Sequence, residues 1–327
     1  MGQAYARRTL RFKFTRLKLI VMKYLVIGAG GTGGLIGGYL AKAQHDVTII
    51  ARGEHLRAMQ SNGLTIKTYG EAPIRVTNIK ATTEEGIGNL KFDVIFVCVK
   101  AYHLNDILAI LKSASHPKTV IIPILNSLGA GSYLRSALPG FNIYDGCIYI
   151  TGYISGPGEI SQNNRIFRIF YGLDGRQDEP YMIRHHLERD ILSSGIDIKY
   201  SSAISNEIFR KLSFTSAFAS CAAYHNKQAS DLQTQGLYRQ LFIDLLLELK
   251  LISDVAGFGL KESFLQDNLQ ILDNLSADFT ASLQKDLILK KPDERNELIY
   301  DVVRLAEKHR VNIPKYVAIA KHFGYLK

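Results

Sequence analysis

The sequence predicts an α/β chain in two parts: an N-terminal domain built on a parallel sheet, and a C-terminal domain made only of helices. Three observations carry that prediction. Short apolar runs alternate with amphipathic segments up to about residue 200. A glycine cluster, GAGGTGG, separates the first apolar run from the first helix. Strand-like segments then stop at about residue 201, and long amphipathic helices follow. A length of 327 residues exceeds what one ordinary core supports and suits two domains, 22–200 and 201–327.

The elements follow in order. KYLVI (23–27) is a buried strand, and GAGGTGGLIGGYLAKAQ is a glycine turn opening a helix. DVTIIAR (46–52) is the second strand, and HLRAMQSNG is a helix with a glycine stop. LTIKTYG and APIRVTNIKATT alternate in polarity, as in a hairpin-type excursion. FDVIFVCVK (92–100) and KTVIIPILN (118–126) are continuous apolar strands flanking the amphipathic LNDILAILKSA. NIYDGCIYITGYI, GEISQ and RIFRIFYG read as later strands, with a Gly-Pro-Gly turn at 156–158. EPYMIRHHLERDILSSG is a helix and IDIKYS the last short strand. Beyond it lie long helices such as YRQLFIDLLLELKLISDVAG and ERNELIYDVVRLAEKHR. The first half is thus a Rossmann-type sheet with helices on both faces.

The net charge of +10 is concentrated at one end. Residues 1–21 hold six basic side chains (Arg7, Arg8, Arg11, Lys13, Arg16, Lys18) and no acid; the remainder carries 34 basic and 30 acidic residues. That mild balance argues against a nucleic-acid binder and suits a pocket for anionic ligands. The basic stretch has three readings: a transit peptide, a membrane-surface helix, or a segment upstream of a natural start at Met22. The third is the expectation adopted, because MKYLVIGAGG begins a strand without preamble. No apolar run approaches the ~18 residues of a membrane span. Cys98, Cys147 and Cys221 lie far apart without metal-binding spacing, which predicts no metal site and a reducing, cytoplasmic setting.

Gly28-x-Gly30-x-x-Gly33 follows a strand and opens a helix, the context a dinucleotide-binding turn requires. Backbone N–H groups over Gly28, Ala29, Gly30, Gly31, Thr32 and Gly33 are expected to receive the phosphates. An NAD site offers an acid to the ribose 2′-hydroxyl at the end of the second strand. Here that strand ends Ile50-Ala51-Arg52, so a guanidinium stands where a 2′-phosphate would bind, and NADP(H) is expected. Glu54 lies nearby. Lys100 and Asn126 close two later strands and are expected to border the same crevice.

One helix row carries an anomaly. Ile204, Ile208, Lys211, Leu212, Thr215, Ala219 and Ala222 share a face, and only Lys211 and Thr215 depart from apolar or small. An ammonium there must be paired, neutralised or snorkelling. Arg210 projects elsewhere and can pair with Glu207. Glu294 lies in line with Leu298, Val302 and Leu305 and is the expected carboxylate partner of Lys211; Ser282 stands one turn before Asp286. A desolvated lysine held by a carboxylate suits carbonyl reduction, in which the nascent alkoxide needs a cation and then a proton.

These residues resemble the ketopantoate reductases (2-dehydropantoate 2-reductases) from Met22 onward. The matching pieces are GAGGTGG, IIARGEHLRAMQSNGL, VKAYHLNDIL, ILNSLGA, GPGEI, FRKL and SLQKDLILKKPDERNELIYDVVRLA. The resemblance implies an NADPH-dependent reductase of a 2-keto acid, most directly ketopantoate on the way to pantothenate and coenzyme A. It implies Lys211 as the catalytic lysine, Glu294 as an acid reaching the site from the helical domain, and Ser282 as a substrate-binding serine. Asn126, Lys211 and Thr215 would also touch substrate. Lys100, Asn126 and Gly152 would join the glycine turn and Arg52 around the cofactor. The pattern departs where the family carries asparagines: Thr215, Ala219, Ala229 and Phe279 stand there, although Asn226 is close to Ala229. A site without those amides binds its substrate differently, so a less polar 2-keto or carbonyl compound is the alternative substrate. A dehydrogenase of hydroxy acids or imines and a non-catalytic NADPH sensor are the other readings. A monomer or homodimer without nucleic-acid or membrane partners is expected.

Overall fold

Nearly continuous burial along three neighbouring strands, with side chains alternating between the two faces, builds the first layers. A computed structural model describes residues 21–175 and 181–326; the basic stretch of residues 1–20 lies outside the described residues. β1 (Lys23–Ile27) sends Tyr24 and Val26 to one face of the sheet and Leu25 and Ile27 to the other. The first face receives α1 (Gly31–Lys42); the second receives α3 (Leu108–Ala114) and α4 (Ala130–Ala137). β2 (Asp46–Ile50), α2 (Gly53–Asn62), β3 (Leu64–Thr68), β4 (Ile74–Val76) and β5 (Lys80–Thr82) precede β6 (Phe92–Val97) and β7 (Ser115–Pro123). With β8 (Asn142–Ile143) they complete a six-stranded parallel sheet ordered β5-β2-β1-β6-β7-β8.

Two smaller sheets flank it. β10 (Gly152–Gly156), β11 (Glu159–Gln162), β3 and β4 form a mixed sheet on the far side of α1. β9 (Asp145–Tyr149), β12 (Arg168–Gly172) and β13 (Asp197–Tyr200) form a third, with α5 (Tyr181–Ser193) between the last two in sequence. The hairpin-type excursion is therefore only partly local. β3 and β4 pair antiparallel as the alternation suggests, but β5 joins the main sheet and β11 comes from about a hundred residues downstream to lie parallel to β3.

α6 (Ile204–His225) links the two halves. Its first turn places Ile204 and Ile208 against Cys147 of the third sheet, whereas Phe209, Leu212, Phe218 and Ala222 enter a separate helical core. Around it stand α7 (Ala229–Gln233), α8 (Leu237–Ala256), α9 (Phe264–Asp273), α10 (Ser282–Ile288), a π-helical turn at Asn296–Tyr300 leading into α11 (Asp301–His309), and α12 (Pro314–His322). Among the described residues every element after Tyr200 is helical, and no helix is long and apolar enough to cross a membrane.

Candidate active site

The first strand ends in a turn shaped for an anion. Gly28 has φ of +103°, and a Cβ there would sit 2.9 Å from the Cys98 carbonyl oxygen. α1 is capped by Gly30 without a side-chain hydrogen bond, and its first turn holds no acid. Its first internal bond runs from Gly34 N–H to Gly30 O at 2.8 Å, so the N–H groups of Gly31, Thr32 and Gly33 remain for an outside acceptor. A Cβ built on Gly30 meets nothing within 4 Å, so the space above the turn is open. An uncapped helix terminus facing open space fits a dinucleotide pyrophosphate. Ala29 is buried beneath it. Gly152 sits differently: a Cβ on Gly31 would lie 2.1 Å from the Gly152 carbonyl oxygen, so Gly152 backs the turn as a packing partner. His55, which the sequence reading passed over, accepts the Gly158 N–H at Nδ1 (3.0 Å) and ties the β10–β11 turn to α2.

Arg52 stands at the carboxyl end of β2, two-thirds exposed, and donates through Nη2 to Glu84 Oε1 at 2.6 Å. The sequence reading considered Glu54 as the neighbouring acid. Glu54 instead faces Arg57 at 3.9 Å in solvent, and the acid on Arg52 comes from the segment after β5. Pairing of β5 with β2 would have pointed to it, but the alternation of APIRVTNIKATT suggests a hairpin partner and not β2.

Two lysines and two carboxylates converge deeper in the crevice. β6 and β7 lie side by side, and Lys100 and Asn126 each follow three residues after their strand. Lys211, one turn beyond Ile208 on α6, donates from Nζ to Asn126 Oδ1 at 2.6 Å. Lys100 Nζ hydrogen-bonds Glu294 Oε2 and lies 3.7 Å from Asp286 Oδ2. The expected pairing of Lys211 with Glu294 is thus corrected: the buried carboxylate bonds Lys100, and Lys211 holds an amide. The geometry follows from the chain, because Glu294 precedes the π-helical turn, where its carbonyl accepts the Leu298 N–H and its side chain turns toward the strand ends. Burial pushes Lys211 below the ordinary lysine value, opposed by the nearby Cys147 and Glu294. Lys100 moves the other way; burial works against its charge, but Glu294 and then Asp286 outweigh that and raise it. Burial also pushes the Cys147 thiol up to about 11.

The positions where asparagines were missed divide cleanly. Thr215 spends its hydroxyl on the Lys211 carbonyl one turn back, at 3.1 Å. Ala219 and Ala229 are buried in the helical core, and Phe279 lies against Phe218 with ring centroids 5.4 Å apart. Asn226 caps α6 in a left-handed conformation and accepts from Gln284 at 2.9 Å. Ser282 is exposed as the first residue of α10, whose Asp286 one turn later reaches Lys100. Arg210 pairs with Glu207 at 2.9 Å, as its separate helix row implies.

A dinucleotide turn over a parallel sheet, facing a helical domain that supplies an ammonium, defines the architecture of a two-domain nicotinamide-dependent oxidoreductase. Comparison with known proteins agrees. The family model described as "Ketopantoate reductase PanE/ApbA" matches residues 24–173, and its C-terminal counterpart matches residues 203–324. The chain belongs to the PanE/ApbA ketopantoate reductase family and is an oxidoreductase of that family. It is 26% identical over 267 residues to the "Uncharacterized oxidoreductase YkpB" of Bacillus subtilis, covering 81% of this chain and 86% of that one. Similarity to the 2-dehydropantoate 2-reductase of Streptococcus pyogenes is 22% over 298 residues, or 90% and 94% of the two chains. Among solved structures, a PanE/ApbA family ketopantoate reductase from Ralstonia eutropha superposes with a TM-score of 0.81 at 20% identity, covering 92% and 97%. D-mandelate dehydrogenase with NADH and anilino(oxo)acetate gives 0.80 at 19% identity, covering 92% and 96%.

Proposed function

We propose that the protein reduces the keto group of a 2-keto acid with NADPH, Lys211 serving as the proton donor. The observation that carries this reading is the buried Lys211 ammonium, held on Asn126 and lowered in pKa, beside a second cation fixed by Glu294. A nicotinamide bound along the glycine turn supplies the hydride. The chain's residues do the rest. Lys100, kept charged and already paired by Glu294 and Asp286, lines the crevice and fixes Glu294 there. Lys211 stabilises the developing alkoxide and passes it a proton, and Asn126 holds the amine in place as it becomes neutral. Ser282 and Thr215 border the substrate. Arg52 receives the 2′-phosphate, and Gly152 supports the cofactor turn from behind.

Ketopantoate is the substrate that family membership favours, with pantoate as product and a cytoplasmic role in coenzyme A precursor synthesis. A less polar 2-keto acid is favoured by a specific observation: Thr215 bonds its own helix, and Ala219, Ala229 and Phe279 contribute no amide. The likeness to D-mandelate dehydrogenase, which carries an aromatic 2-oxo compound in its structure, supports that second reading. A homodimer accords with the dimeric ketopantoate reductase of Staphylococcus aureus, similar in fold at a TM-score of 0.75. NADPH oxidation followed by absorbance over a panel containing ketopantoate and aryl or branched 2-keto acids separates the substrates. Lys211→Ala is expected to lower kcat by about 10²–10⁴-fold on the best of them while NADPH still binds; turnover near that of the wild type would remove Lys211 from the chemistry.

A further inference from the structure

At the carboxyl end of β2 the chain offers a cation and an acid together. Ile50 pairs with Thr82, and the Ala51 N–H donates to the Thr82 carbonyl at 3.0 Å, so Arg52 and Glu84 leave their strands side by side. Arg52 Nη2 and Glu84 Oε1 are 2.6 Å apart. Glu84 is the more buried partner, with 27% of its side chain exposed against 69% for Arg52. Next to it, Glu85 is held below the usual carboxylate range, first by a backbone N–H, then by the Thr83 hydroxyl, with Arg52 adding to the effect.

We propose that Glu84 sets the nicotinamide cofactor preference, relaxing this enzyme from strict NADPH use to dual use of NADPH and NADH. The inference rests on the reading of Arg52 as the residue at the ribose 2′ position. Any group hydrogen-bonded to Arg52 Nη2 lies within about two hydrogen-bond lengths of the Glu84 carboxylate. A 2′-phosphate must draw Arg52 from Glu84 and then sit near an anion that repels it. A 2′-hydroxyl instead finds an acceptor in Glu84, the task that the acid at the second strand performs in NAD sites. Here that acid arrives from the neighbouring strand.

Equilibrium titrations of full-length protein with NADPH and with NADH test this, read by calorimetry or by the fluorescence of the bound nicotinamide. Wild-type Kd values for the two cofactors are expected within about tenfold of each other. Glu84→Gln is expected to tighten NADPH, weaken NADH and raise the preference for NADPH by about tenfold. Arg52→Ala is expected to make NADH the tighter ligand. A preference in Glu84→Gln within about twofold of wild type, with Arg52→Ala still impaired toward NADPH, overturns the role of Glu84 and leaves that of Arg52 standing. If Arg52→Ala also binds both cofactors as the wild type does, the assignment of this strand end to the ribose falls as well. Both side chains lie near solvent, where a lost ion pair costs stability little, and Glu84→Ala provides a second variant of the same sign.

Discussion

Burial gives Lys211 a chemical identity that its neighbours lack. Desolvation disfavours its charged form, so its proton leaves more readily than that of an exposed lysine. A general acid works while protonated, so kcat/KM should be sustained at low pH and fall as pH rises through the Lys211 pKa. That descent is expected below the ordinary lysine value of about 10.4. Asn126 accepts a hydrogen bond from the charged form and so favours it. Asn126→Ala should therefore move the descent to still lower pH; a pH–rate profile with an unmoved basic limb would show that Asn126 does not hold the amine. Lys211 was legible in the sequence because it broke an apolar row. Its partner was not, since periodicity ranks faces within one helix and says nothing of which strand end or helix start stands opposite. Glu294 met the pattern criterion, yet Lys100 reaches it first.

The element densest in glycine is α1, with five of its twelve residues. It is pressed between two sheets: a Cβ on Gly34 would lie 1.9 Å from Ile160 Cδ1, and one on Gly38 would lie 2.7 Å from Ile66 Cδ1. At Gly31 the obstacle is backbone, the Gly152 carbonyl, which cannot swing aside as a side chain can. Gly31→Ala should cost about 1–3 kcal/mol in chemical denaturation, as overpacking does, and weaken NADPH binding by displacing the turn; full retention of both would deny the close approach. GxGxxG accounts for phosphate binding but not for the further glycines of GGLIGG. Gly34 and Gly38 face the second sheet, whose β3–β11 pairing joins distant segments that no local pattern connects, and Gly37 faces Ile49 and Val26 of the main sheet. The helix read from LNDILAILKSA is shorter than expected, starting at Leu108, because the chain first makes a tight 3-10 turn at Ala101–His103 that brings Lys100 out of the sheet.

At the scale of the molecule, the two-domain plan and the change of texture near residue 200 were plain in the sequence, because strand and helix periods differ. The bridge between the domains was not. Lys100 leaves the parallel sheet, and Glu294, with only 4% of its side chain exposed, comes from the helical domain. Tyr102 adds a hydroxyl bond to the Pro292 carbonyl at 3.3 Å. Lys100→Met would leave a buried carboxylate without its cation and should lower stability by about 2 kcal/mol, less than for a fully buried pair because Lys100 is one-third exposed. Adding Glu294→Gln should recover much of that loss. A double variant no more stable than Lys100→Met would place the cost elsewhere than in the stranded charge.

The seating of α6 decides where the two halves meet at the site. Ile204 and Ile208 are locked to the third sheet through Cys147, one turn from Lys211, while the rest of this helix of about 33 Å is embedded in the other core. Lys211 thus sits at the joint between the halves, on a helix rooted in the helical core and bonded to Asn126 of the sheet half. Glu294 is mounted on the opposite half. The ion pairs of Lys100 with Glu294 and Asp286 join the two halves beside Lys211. Parting the halves would have to break both ion pairs of Lys100 and the Tyr102 bond to Pro292, so residues 100–102 alone carry three of the ties across the crevice.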